Sequence, residues 1–190
     1  MKLVFLDFDG VLNSTGPRKD KFITFMNDHH LTWFLHFIHY DPLLVNRRYL
    51  RRLRKICIKS KAFVVVSATS RGTWLYDGSY IQSPRKRRIR NLLKYYHIRI
   101  LGKTPALANK NRGDEIQAYL DKYKYYPGII ESFVILDDDV EDIIDKFPNN
   151  IIHTERLLKK TDPYKTSGLS RQDVNDALKI LNKKERGKRK

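Results

Sequence analysis

Along the chain, short continuous apolar runs alternate with longer stretches in which apolar positions recur every three or four residues. The runs Lys2–Leu6, Ala62–Ser67, His97–Leu101, Ser132–Leu136 and Asn150–His153 predict buried strands, because none shows the in–out alternation of a half-exposed strand. Between them the spacing is helical. Val45, Tyr49, Leu53 and Ile56 mark one apolar stripe, with arginines on the other faces. Ile89, Leu92, Leu93 and Tyr96 mark a second helix after Pro84. Ile116, Leu120 and Tyr123 mark a third, opened by Asp114 and closed at Pro127-Gly128. Val140, Ile143, Ile144 and Phe147 predict a short fourth. Val174, Leu178 and Leu181 predict a last one, with Ser170 as N-cap and Asp173 in the place of the usual Glu. Strand and helix in alternation predict an α/β fold, a central parallel sheet of about five strands with helices on both faces.

Two segments break the rhythm. Residues 14–42 are rich in aromatics and histidine and form an insert after the first strand, read as a small cap or an extra helix on the core. Residues 183–190 form a basic tail expected to be disordered, which leaves 1–182 as a single domain. An apolar fraction of 41% fits a globular chain. Cys57, the one cysteine, excludes an internal disulfide framework and suits a reducing compartment. No apolar run is long enough to span a bilayer, and the expectation is a soluble, intracellular protein.

Charge changes the picture. Against 21 acidic residues stand 38 Lys and Arg, a formal net charge of +17. Such an excess favours a polyanionic partner, nucleic acid first, and the run Arg85–Arg90 followed by Tyr95 and Tyr96 is the candidate contact. A solvated helix face is the bland reading of the same run. His29, His30, His36 and His39 suggest zinc only weakly, since no cysteine accompanies them.

Candidate chemistry gathers at the ends of the runs, where a parallel sheet binds its ligands. The first run ends in Asp7 and Asp9, whose side chains share one side of an extended chain and repel unless a cation sits between them. The second ends in Ser67, with Thr69, Ser70 and Arg71 just beyond. The fourth ends in Asp137, Asp138 and Asp139, with Asp142 close behind. Lys110, Arg112 and Asp114 stand at the start of the third helix. Clustered carboxylates favour a hard cation such as Mg²⁺, and a hydroxyl with a fixed cation suits a phosphoryl group. An aspartate there can act as a nucleophile through an aspartyl-phosphate, and its neighbour as general acid and base.

The stretch Asp7-Phe8-Asp9-Gly10-Val11-Leu12 resembles the first motif of the haloacid dehalogenase (HAD) superfamily, D-x-D-G-x-[VL]. Ser67 is similar to its second motif, and Asp137-Asp138 with Asp142 to its fourth. The segment from Asn111 to Leu120 resembles R-G-x-E-I-x-x-[WY]-L of one branch, the HAD domains of multidomain RNA-repair proteins. Gly10-Val11-Leu12-Asn13, Leu136-Asp137-Asp138-Asp139 and the late Gly168-Leu169-Ser170 with Asp173-Val174 are similar to that branch as well. Val11 stands where many HAD phosphatases carry Thr, a feature the branch shares.

The resemblance implies a Rossmannoid three-layer fold with a small or minimal cap, and a Mg²⁺-dependent phosphatase acting on a nucleic-acid terminus. It implies Asp7 as nucleophile, Asp9 as general acid and base, and Ser67 holding the phosphoryl group. Asp138 becomes the acidic metal ligand beside Asp7 and Asp9, supported by Asp137 or Asp142. Arg112, preferred to Lys110, is the third-motif cation. Arg71 is read either as a substrate contact or as one half of an internal salt bridge. A small-molecule phosphatase and a non-catalytic nucleic-acid-binding domain are the alternatives.

Overall fold

The structure, a computed structural model, describes residues 1–8, 10–12, 45–67, 84–154 and 168–183. The segment 14–42, Asp9, the stretch from Ala68 to Ser83, the residues after Lys183 and the side chains of 84–89, most of the Arg85–Arg90 run, lie outside the described residues. Five strands, β1 (Lys2–Leu6), β2 (Phe63–Val66), β3 (Ile100–Lys103), β4 (Ser132–Asp137) and β5 (Ile151–His153), form one sheet in the order β3-β2-β1-β4-β5. Every pairing is parallel, and β1 lies between β2 and β4 with Leu6 opposite both Val66 and Leu136.

The strands read as continuous apolar runs because both faces are covered. Side chains alternate along each strand. Val4, Leu6, Val64, Val66, Val134 and Leu136 turn to one layer, built by α1 (Arg47–Ser60), α2 (Pro84–Tyr95) and α5 (Arg171–Asn182). Leu3, Phe5, Val65 and Ile135 turn to the other, built by α3 (Arg112–Asp121) and α4 (Glu141–Ile144). On that second face the Phe5 ring meets Tyr119 and Phe133 edge-on at 5.6 and 5.8 Å, a favoured aromatic geometry.

Helix ends follow local chemistry. Asn46 caps α1 by accepting from the Arg48 N–H, and Lys61 closes it in a left-handed conformation. The Ser170–Asp173 capping box opens α5, each side chain bonded to the other residue's backbone N–H. Cys57 is buried on the inner face of α1, and burial pushes its thiol up to about 12, so it acts as a small hydrophobe.

Most boundaries shift by a residue or more from those the pattern predicts, and the shifts at β3 and α3 have a clear cause. The third strand begins at Ile100 rather than His97, because His97 adopts φ 57° to end α2 and Ile98 plugs the core before pairing starts. Helix α3 stops at Asp121, and the chain continues in tight turns to Gly128. Tyr123 keeps its helical place against Tyr119 because its N–H bonds Leu120 O, so the apolar spacing outlasts the helix.

Candidate active site at the carboxyl edge of the sheet

Parallel pairing brings the carboxyl ends of β1, β2, β3 and β4 to one edge, and the backbone ladder continues one residue beyond each strand. The Asp7 N–H donates to Leu136 O at 3.0 Å, the Ser67 N–H to Leu6 O at 2.9 Å and the Thr104 N–H to Val66 O at 3.0 Å. Asp7, Ser67 and Thr104 are thereby held side by side where β1, β2 and β3 end. Asp137 closes β4 one strand over and is fully buried.

Next to this edge the chain turns sharply. Gly10 takes φ 66°, and a Cβ there would overlap the Asp138 carboxylate, so glycine is what lets Asp138 fold down over the turn. Leu169, buried beside it, donates its N–H to Val11 O, and the Thr154 hydroxyl bridges Gly10 O and Asp137 O. His153 Nε2 meets Asp138 O at 2.8 Å. The late Gly-Leu-Ser stretch is therefore a brace for the turn after Asp7. Its glycine is required because a Cβ on Gly168 would lie 2.5 Å from the Tyr49 ring.

Carboxylate oxygens of Asp7, Asp137 and Asp138 all lie within 4.8 Å of one another. A single cation of the described residues reaches them. Arg112 opens α3, and its Nη1 lies 2.6 Å from Asp137 Oδ2 and 3.3 Å from Asp7 Oδ2. Its position is fixed from below. Asn111 caps the helix by accepting from the Asp114 N–H at 2.8 Å. Gly113 packs so closely under Asp142 that an added Cβ would sit 2.5 Å from the Asp142 carbonyl oxygen.

Burial sets the electrostatics. Asp7 is raised to about 7, first by burial and then by the Asp137 charge, with Arg112 pulling the other way. Asp137 is also raised by burial, against the lowering pull of Arg112 and of the Asp139 N–H. Burial alone would lower Arg112, yet the two carboxylates hold it above its ordinary value. Among the described residues three carboxylates face one guanidinium, and an oxygen-only set of this kind suits a hard divalent cation. Beside it the Ser67 hydroxyl, 0% exposed, has no hydrogen-bond partner among the described residues, and neither has that of Thr104. Buried hydroxyls rarely go unpaired, which points to a ligand at this edge.

Of the residues expected at the site, Asp7, Ser67, Arg112, Asp137 and Asp138 come together. Asp142 offers its backbone to α3, and its side chain is exposed. Lys110 is exposed and makes no ion pair among the described residues. Asp9 and Arg71 lie outside the described residues. The pattern did not single out Thr104 or Thr154, for which only their places at the ends of β3 and β5 spoke.

A parallel five-stranded sheet with an aspartate-rich carboxyl edge is the HAD architecture, and the chain is a HAD-type hydrolase domain. Residues 3–174 match the model of the HAD domain in Swiss Army Knife RNA repair proteins, and the chain belongs to that family. Searches of curated proteins and of solved structures returned no match.

Proposed function

We propose that this domain is a Mg²⁺-dependent phosphatase that removes a terminal phosphate from nucleic acid by way of an aspartyl-phosphate on Asp7. The observation that carries the reading is the convergence of the Asp7, Asp137 and Asp138 carboxylates beside a buried Ser67 hydroxyl that has no hydrogen-bond partner among the described residues. Asp7, Asp9, Asp138 and Asp137 are the residues that would hold Mg²⁺. When bound, the ion would neutralise the phosphate oxygens and return Asp7 to its ionised form.

In the first step the Asp7 carboxylate attacks phosphorus and the bond to the leaving oxygen breaks, with Asp9 giving that oxygen a proton. In the second, Asp9 takes a proton from water, the water oxygen bonds phosphorus, and the bond to Asp7 breaks to release phosphate. Ser67 donates to a phosphoryl oxygen throughout. Arg112 holds the Asp7 and Asp137 carboxylates in place and adds positive charge beside the transferring group. Lys110 and Arg71 are further substrate contacts in this reading. The family's occurrence in RNA-repair proteins and the net charge of +17 both support a nucleic-acid substrate.

The test is phosphate release from oligonucleotides phosphorylated at either end and from mononucleotides, each with Mg²⁺ and with chelator. Release from an oligonucleotide that stops in chelator and returns with Mg²⁺ is expected. Release from mononucleotides alone contradicts the polymer substrate, and undiminished release in chelator contradicts the metal.

A further inference from the structure

On the face of the sheet covered by α1 and α2, away from the aspartates, the two helices enclose an open groove of about 950 Å³. Arg51 and Arg54 of α1 line one side, and Asn91, Lys94, Tyr95, Tyr96 and His97 the other. Neither helix contains a single acidic residue. Among the described residues Arg51, Arg54 and Lys94 enter no ion pair, and all three are exposed. A merely solvated helix face usually mixes both signs of charge. Here cations face cations across a groove, an arrangement that a polyanion lying between them relieves.

The aromatic residues narrow the choice of polyanion. Tyr95 is 78% exposed, and its ring is steadied edge-on by Tyr96 at 5.6 Å. A supported, solvent-facing ring among cations is the arrangement on which unpaired bases stack. Stacking of that kind takes unpaired bases, so a single strand suits the groove better than a duplex, whose bases already stack on one another.

We propose that the α1–α2 groove binds single-stranded nucleic acid, with Arg51, Arg54 and Lys94 on the phosphates and Tyr95 stacked on a base. This rests on the reading of the substrate as a polynucleotide and gives its body a docking site. Both helices run from the carboxyl edge of the sheet to its amino edge, so a strand whose end lies in the crevice passes along them to reach the groove. Arg47 and Arg90, both exposed, lie along that course.

The experiment measures binding of the full chain to labelled single strands of about ten nucleotides, RNA and DNA. The strands lack a terminal phosphate, so the groove and not the crevice is read. The substitutions Arg51→Gln, Arg54→Gln and Lys94→Gln together should lower the log–log salt slope by about 2, since each phosphate contact contributes about 0.7 on a single strand. Tyr95→Ala should weaken binding about tenfold at fixed salt, and Tyr95→Phe should keep wild-type affinity, because stacking needs the ring and not the hydroxyl. Polyglutamate of equal charge should compete poorly. An unchanged slope in the triple variant, or an unchanged affinity in Tyr95→Ala, overturns the proposal. Equal competition by polyglutamate overturns it too, in favour of an acidic protein. Binding as expected without phosphate release from any oligonucleotide sustains the groove and sinks the phosphatase reading. Phosphate release without strand binding does the reverse.

Discussion

At Asp7, burial and the Asp137 charge together raise the carboxyl to about 7 from an ordinary 3.8. The folded protein therefore keeps a proton there, between about pH 4 and pH 7, that the unfolded chain has already released. Without a divalent cation, stability from this residue is present at low pH and is lost as pH rises toward 7. Asp7→Asn removes that loss. At about pH 8 in chelator the variant should melt above the wild type, by an amount worth up to a few kcal/mol, and with Mg²⁺ restored it should release no phosphate. A variant melting well below wild type would show that Asp7 is needed as a charged partner of Arg112. The same proton competes with a cation, so half-saturating Mg²⁺ should rise about tenfold per pH unit below 7. A titration of phosphate release against Mg²⁺ at two pH values checks this, and pH-independent half-saturation would place the ion away from Asp7. Asp7 was legible because two aspartates after an apolar run make no sense as turn chemistry alone. Thr104 and Thr154 were not, since a threonine after a strand is ordinary and only the register shows what lies beside it.

Among the elements, α3 carries the cation and α4 sets its distance from the sheet. Gly113 lies where an added Cβ would be 2.5 Å from the Asp142 carbonyl oxygen. Gly113→Ala should therefore push the first turn of α3 outward and take Arg112 off Asp7. We expect a stability loss of about 1–3 kcal/mol and a larger fall in kcat than in substrate affinity. Unaltered kcat with lowered stability would mean that Arg112 does not act on the reaction. Sequence made these helices legible through their apolar spacing, and similarity to one HAD branch pointed to Arg112, the cation that lies against Asp7 and Asp137. Helix ends were less legible. His97 closes α2 in a left-handed conformation that its side chain does not announce, and α3 gives way to turns while its tyrosine spacing continues.

For the whole molecule, the proposed function gives the three carboxylates at one edge a cation to hold and the basic helices on one face a polyanion. Among the described residues no helix is long and apolar enough to cross a membrane. A cation that binds the folded state alone should stabilise it by about 2.7 kcal/mol at a hundredfold excess over its Kd. Mg²⁺ should accordingly raise the wild-type melting temperature above neutral pH and leave that of Asp138→Ala nearly unmoved. Equal shifts in both would place the ion elsewhere. The bond formed at Asp7 can be trapped directly. An oligonucleotide with a radiolabelled terminal phosphate is mixed with the protein and Mg²⁺, quenched in acid within the first turnover, and the protein is digested. Label is expected on the peptide carrying Asp7, removable by hydroxylamine as an acyl phosphate is, and none in Asp7→Asn. Steady release of phosphate with no label on the protein at any quench time would contradict the aspartyl-phosphate.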